Sequence, residues 1–117
     1  MVAIAHDFVV EQGANWERVI WLRDDRNNVV SLSGYTALMQ VRLTPDSASA
    51  LLELSTENGK ISISADLGQI TLALTAAQTA TLAFSEGVYD LQITKTSTGK
   101  VTRVLEGNFV VSPSVTV

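Results

Sequence analysis

The apolar residues of this chain recur every second position, not every 3.6. In Tyr35-Thr36-Ala37-Leu38-Met39-Gln40-Val41-Arg42-Leu43, one face carries Tyr35, Ala37, Met39, Val41 and Leu43. The other face carries Thr36, Leu38, Gln40 and Arg42. Successive side chains of a strand point to opposite faces, so this alternation describes a strand with one face buried. Ile61 to Ser64 and Ile70 to Leu74 alternate in the same way, and Tyr89, Leu91 and Ile93 share one face. Phe8 to Val10, Arg18 to Leu22, Leu51 to Leu54, and Val101 to Leu105 followed by Phe109 to Val111 complete the set. The expectation is an all-β fold of about eight or nine short strands.

Turn chemistry separates the strands. Asp24 to Asn28 is a polar tip, because Asp and Asn tolerate left-handed backbone angles. Asn58-Gly59 is a strong hairpin signal, with positive φ expected at both central residues. Asp66-Leu67-Gly68-Gln69 and Thr96 to Lys100 supply two further tight turns. Gly107, inside an apolar pattern, points to a bulge or kink. One segment breaks the period. Thr75 to Leu82 is Ala-rich, with Thr75 and Gln78 at capping-box spacing, and predicts a short helix near 75–82 that buries Leu82. Closely spaced turns between short strands favour an antiparallel β-sandwich, with a small barrel as the other way to close the sheet. At 117 residues the expectation is one domain, 1–117, long enough to bury a core without covalent staples.

Composition narrows the function classes. With no cysteine, disulfides, thiolate nucleophiles and Cys-ligated metals are excluded. A net charge of −4 and a pI near 4.7 argue against nucleic acid as a partner, which needs a basic face. The stretch around Met1 to Asp7 lacks the charged start and the roughly 7–15 apolar residues of a signal peptide. No run approaches the roughly 18 apolar residues of a membrane helix. The expectation is folding in a cytoplasm, with no membrane partner.

Residues with chemical potential each have a plainer role. His6 and Asp7 are a base and a carboxylate, but neighbours in a strand face opposite ways, and no nucleophile motif accompanies them. Asp24, Asp25, Asn27 and Asn28 offer oxygen ligands without the spacing of a calcium loop, so they read as a solvated turn. Asp90 and Glu106 flank the Thr96–Lys100 turn and are expected to meet Arg42 or Arg103 rather than a glycoside. No catalytic residue, metal ligand or cofactor is assigned, and the chain reads as a non-enzyme. The candidate interface residues are Trp16, Trp21, Leu38, Val104, Val115 and Val117. Trp16 and Trp21 have opposite parity, so at least one lies outside or at a rim. Leu38 and Val104 are apolar on nominally outward faces, and the segments 1–5 and 112–117 are candidate interaction arms.

The ordered pattern then matters. It runs Phe8-Val9-Val10-Glu11-Gln12-Gly13, Ile20-Trp21-Leu22-Arg23-Asp24, Leu32-Ser33-Gly34-Tyr35, Tyr89-Asp90-Leu91 and a final Gly107-X-Phe-X-Val. This resembles a group of small tail-associated structural proteins of bacteriophages. It is also similar to the N-terminal β-sandwich modules of phage baseplate upper proteins. The resemblance spans Phe8 to Val111 and marks no functional residue. It implies a virion component of the tail, made in the host bacterial cytoplasm, that binds other tail, baseplate or fibre proteins. It also implies a homo-oligomer or multiple copies in a ring. The alternative is a carbohydrate-binding or adhesin module using Trp16 and Trp21.

Overall fold

The computed structural model describes residues 4–24 and 26–113. It is an all-β architecture of two sheets. The strands are β1 (Ile4–Ala5), β2 (Phe8–Glu11), β3 (Trp16–Trp21), β4 (Tyr35–Arg42), β5 (Leu52–Ser55), β6 (Ile61–Ser64), β7 (Gln69–Leu74), β8 (Glu86–Lys95) and β9 (Val101–Ser112). A helix, α1 (Ala76–Ala80), follows β7.

The six-stranded sheet has the order β1-β9-β8-β4-β5, with β2 also on β9. The three-stranded sheet has the order β3-β7-β6. Most neighbours are antiparallel, as expected. However, β1 and β2 lie parallel to β9, with Ile4 beside Leu105 and Phe8 beside Phe109. So Ile4 and Ala5, expected in a free arm, belong to the sheet. The rest of that arm, and residues 114–117 of the other, lie outside the described residues.

Alternation makes the core. Ala37, Met39 and Val41 of β4 are buried, as are Tyr89, Leu91 and Ile93 of β8. They face Ile61, Ile70, Leu72 and Leu74 of the small sheet in one cluster. Burying a side chain of this size contributes roughly 1.5–3 kcal/mol, so the period-two pattern is the main source of the fold.

The helix forms where its caps predict. Thr75 accepts from Gln78 N and Gln78 accepts in return from Thr75 N, a complete capping box. Leu82 is buried just beyond it. The buried Thr79 hydroxyl accepts from Gly13 N at 3.0 Å and donates to Ala14 O at 2.8 Å. Asn15 Oδ1 accepts from Ala76 N at 2.7 Å. Together these bonds fix the turn that leads into β3.

Two expectations about turns change. Asn58-Gly59 does not make a hairpin: it joins β5 of one sheet to β6 of the other. Of the two residues, only Gly59 has positive φ. The bulge is not at Gly107. The β8–β9 register passes from Leu91↔Leu105 to Gln92↔Arg103, which leaves Val104 as the extra residue. Gly107 serves close approach instead, since a Cβ there would collide with the His6 carbonyl oxygen.

Candidate interaction surface

The bulge corrects one candidate directly. Because Val104 is inserted, it and Leu105 are both buried, and Val104 is 2% exposed. It is therefore a core residue, not an outward one. Trp16 is also in the core, at 4% exposure. Its ring meets Phe8 and Phe109 edge-on, at centroid distances of 5.5 and 5.9 Å. Trp21, of opposite parity, is 56% exposed. Leu38 is half-buried on the outer face of the large sheet, beside Gln92 and Ser55. Val115 and Val117 lie outside the described residues. The structure therefore does not bring the four described candidates together, and of the two indoles only Trp21 faces solvent.

The titratable candidates among the described residues have structural partners, and Asp25 lies outside those residues. Asp7 Oδ1 accepts from Asn108 N at 2.9 Å, while the His6 ring packs against Phe8. Asp24 Oδ1 accepts from Arg26 N and Asn28 N, both at 2.9 Å, which makes it the organiser of its own turn. Asp90 and Glu106 sit directly opposite one another. Arg103 lies between them, with Nε 3.4 Å from Asp90 Oδ2 and Nη1 4.0 Å from Glu106 Oε1. These carboxylates share one cation, and all three side chains line a solvent-open concavity of the large sheet with Arg42, Tyr89 and Asn108.

The edges of the sheets are more informative. An edge strand presents unpaired N–H and C=O groups, and proteins block such rows by several means. On β5 the Asn58 side chain does so. It accepts from Ser55 N and donates to Glu53 O, both at 3.0 Å, in the place of a neighbouring strand. On β2, Arg18 donates to Val9 O at 3.4 Å, and Ala14 N closes on Glu11 O at 3.2 Å. β6 is four residues long, and its exposed side chains are Ser62 and Ser64.

The outer edge of β3 differs. Leu22 N bonds Gly68 O, which continues the register set by Trp16↔Leu74. So Trp16, Arg18, Ile20 and Leu22 aim their main-chain groups at the β7 side. Glu17, Val19, Trp21 and Arg23 aim theirs away from it. The chain beyond β3 turns back on the β7 side, where Val30 N bonds Leu22 O and Asp24 N bonds Asn28 O. It leaves the outer edge open. Among the described residues, only Glu17 O on this edge is engaged, by Arg18 Nη1 at 2.7 Å. Arg18 also lies 5.3 Å from the Trp16 ring centroid, so its guanidinium covers the core at this end. Exposed Val29, against Gly68, and exposed Leu67 lie on the opposite, β7 side of this strand end.

Parity in the sequence puts one of the two candidate indoles outside, and that one is Trp21. Parity could not have found the open edge, which follows from how two distant segments pair. A search against protein-family models gave no match for this chain, and a search among curated proteins gave none.

Proposed function

We propose that this protein is a structural adaptor of a bacteriophage or prophage tail or baseplate, binding neighbouring tail, baseplate or fibre proteins and copies of itself. The observation that carries the docking role is the open edge of β3 with the exposed indole of Trp21 on its face. Exposed main-chain donors beside an apolar anchor suit strand addition, and Trp is enriched where interfaces carry their binding energy. The phage context rests on the sequence resemblance from Phe8 to Val111. In this reading the protein folds in the host cytoplasm and works in the virion tail, with neither cofactor nor catalysis.

The test is direct. Virions purified from the producing strain are analysed by mass spectrometry, and the purified protein is co-sedimented with the tail protein encoded beside it. Presence in the particle and co-sedimentation are expected, with binding weakened by Trp21→Ala. Absence from purified virions overturns the reading.

The carbohydrate alternative would now rest on Trp21 alone, because Trp16 is enclosed by Phe8 and Phe109. A shift in Trp21 fluorescence on glycan addition would favour it.

A further inference from the structure

The open edge of β3 has a property that selects one kind of strand. Its outward residues read Glu17, Val19, Trp21, Arg23 in chain order. Glu17, Trp21 and Arg23 are exposed and Val19 is half-buried. Read backwards, the same row is basic, aromatic, aliphatic, acidic. An antiparallel copy of this strand, related by a two-fold axis at Ile20, places each Glu17 opposite the Arg23 of the other copy. It also places each Val19 opposite the other Trp21. In that register all four residues meet as directly hydrogen-bonded pairs, because these are the residues whose N–H and C=O groups point outward. Opposite charges and aromatic–β-branched pairs are favourable directly across two strands, and like charges are unfavourable.

We infer that the first occupant of the β3 edge is a second copy of this chain, forming a two-fold dimer in which two three-stranded sheets join into one. This rests on reading that edge as a docking surface, and not on the phage context. A two-fold interface must be self-complementary, and this row is so in charge and in its aromatic–β-branched pairing. The other edges lack the same invitation. Asn58 occupies β5, and Arg18 with the Gly13 turn occupies β2. Arg18 does not prevent pairing at β3, since the Glu17 carbonyl has a second lone pair for the incoming Arg23 N–H.

Charge reversal tests the register. The molar mass of the full chain is measured by sedimentation equilibrium across a dilution series. Wild type is expected to dimerise. In Glu17→Arg both ends of the interface oppose two arginines, and in Arg23→Glu both oppose two glutamates. Each variant is expected to weaken self-association by at least about tenfold. The double variant Glu17→Arg/Arg23→Glu restores both pairs and should regain the dimer. An equimolar mixture of the two single variants should form a heterodimer, since the two arginines of one chain then meet the two glutamates of the other. Circular dichroism checks that each variant stays folded. A wild type that is monomeric at all concentrations overturns the inference. So does a dimer indifferent to the reversals, or one that the double variant and the mixture fail to restore. A monomer that still co-sediments with its tail neighbour would leave the adaptor reading standing and remove only this one.

Discussion

Tyr89 joins the N-terminal strands to the rest of the large sheet. Its ring is buried against Phe8, with centroids 5.0 Å apart, and its hydroxyl donates to the His6 carbonyl. Burial pushes the phenol above its ordinary value, and the carboxylates of Asp7 and Glu106 push it further the same way. The folded state therefore holds the proton more tightly than the unfolded chain, whose tyrosines ionise near pH 10. A group with a raised folded pKa contributes its full stability below the unfolded value. That contribution is lost as pH climbs through about 10 and toward the folded value. Tyr89→Phe is expected to cost about 1 kcal/mol at neutral pH, the usual net worth of one hydrogen bond. It should also flatten the fall in stability at alkaline pH relative to wild type. Urea unfolding of both proteins at about pH 7 and about pH 10.5 measures this. Parallel losses between the two pH values in both proteins would remove Tyr89 as the source.

At the scale of elements, Asn58 does a strand's work with one side chain. Its amide satisfies Ser55 N, Lys60 N and Glu53 O, all at 3.0 Å. Asn58→Ala removes all three bonds and uncovers the β5 edge. The expected loss is about 1–3 kcal/mol in urea unfolding, with more aggregation on refolding. Asn58→Asp keeps acceptors for the two N–H groups and loses only the donor to Glu53 O, so its loss should be smaller. An Asp variant as unstable as the Ala variant would overturn this role. The same residue shows where the sequence was legible and where it was not. Asn-Gly correctly marked a turn, because its chemistry is local. It wrongly implied a hairpin, because which strand the chain joins next depends on the other sheet. The helix at 76–80 was legible for the local reason, its capping box lying within four residues. The bulge at Val104 was not, since it exists only relative to Leu91 and Gln92 on β8. So the period of two gave the fold class and parity separated Trp21 from Trp16, while the open edge required the pairing itself.

The molecule as a whole is elongated, with principal extents of 45 × 28 × 25 Å over the described residues. Its charged share is 17%, against about 25% in a typical soluble domain. Among the described residues, Ile4, Val9, Trp21, Val29, Leu43, Leu51, Leu67 and Val101 are exposed. Single exposed apolar residues are ordinary, but Trp21 stands on an open strand edge. If that edge pairs with a second copy, unfolding and dissociation are linked, and the folded state is stabilised by mass action. The melting temperature of wild type should then rise with concentration, by a few degrees for each tenfold step between roughly 10 µM and 1 mM. Glu17→Arg should show a lower and nearly flat dependence, because its copies repel at both ends of the interface. The comparison separates two effects that a single melting temperature mixes. A substitution that merely weakens the monomer lowers the curve without changing its slope, whereas loss of the partner removes the slope. Equal slopes in the two proteins would mean that β3 meets nothing of its own kind, and that the exposed indole waits for a different chain.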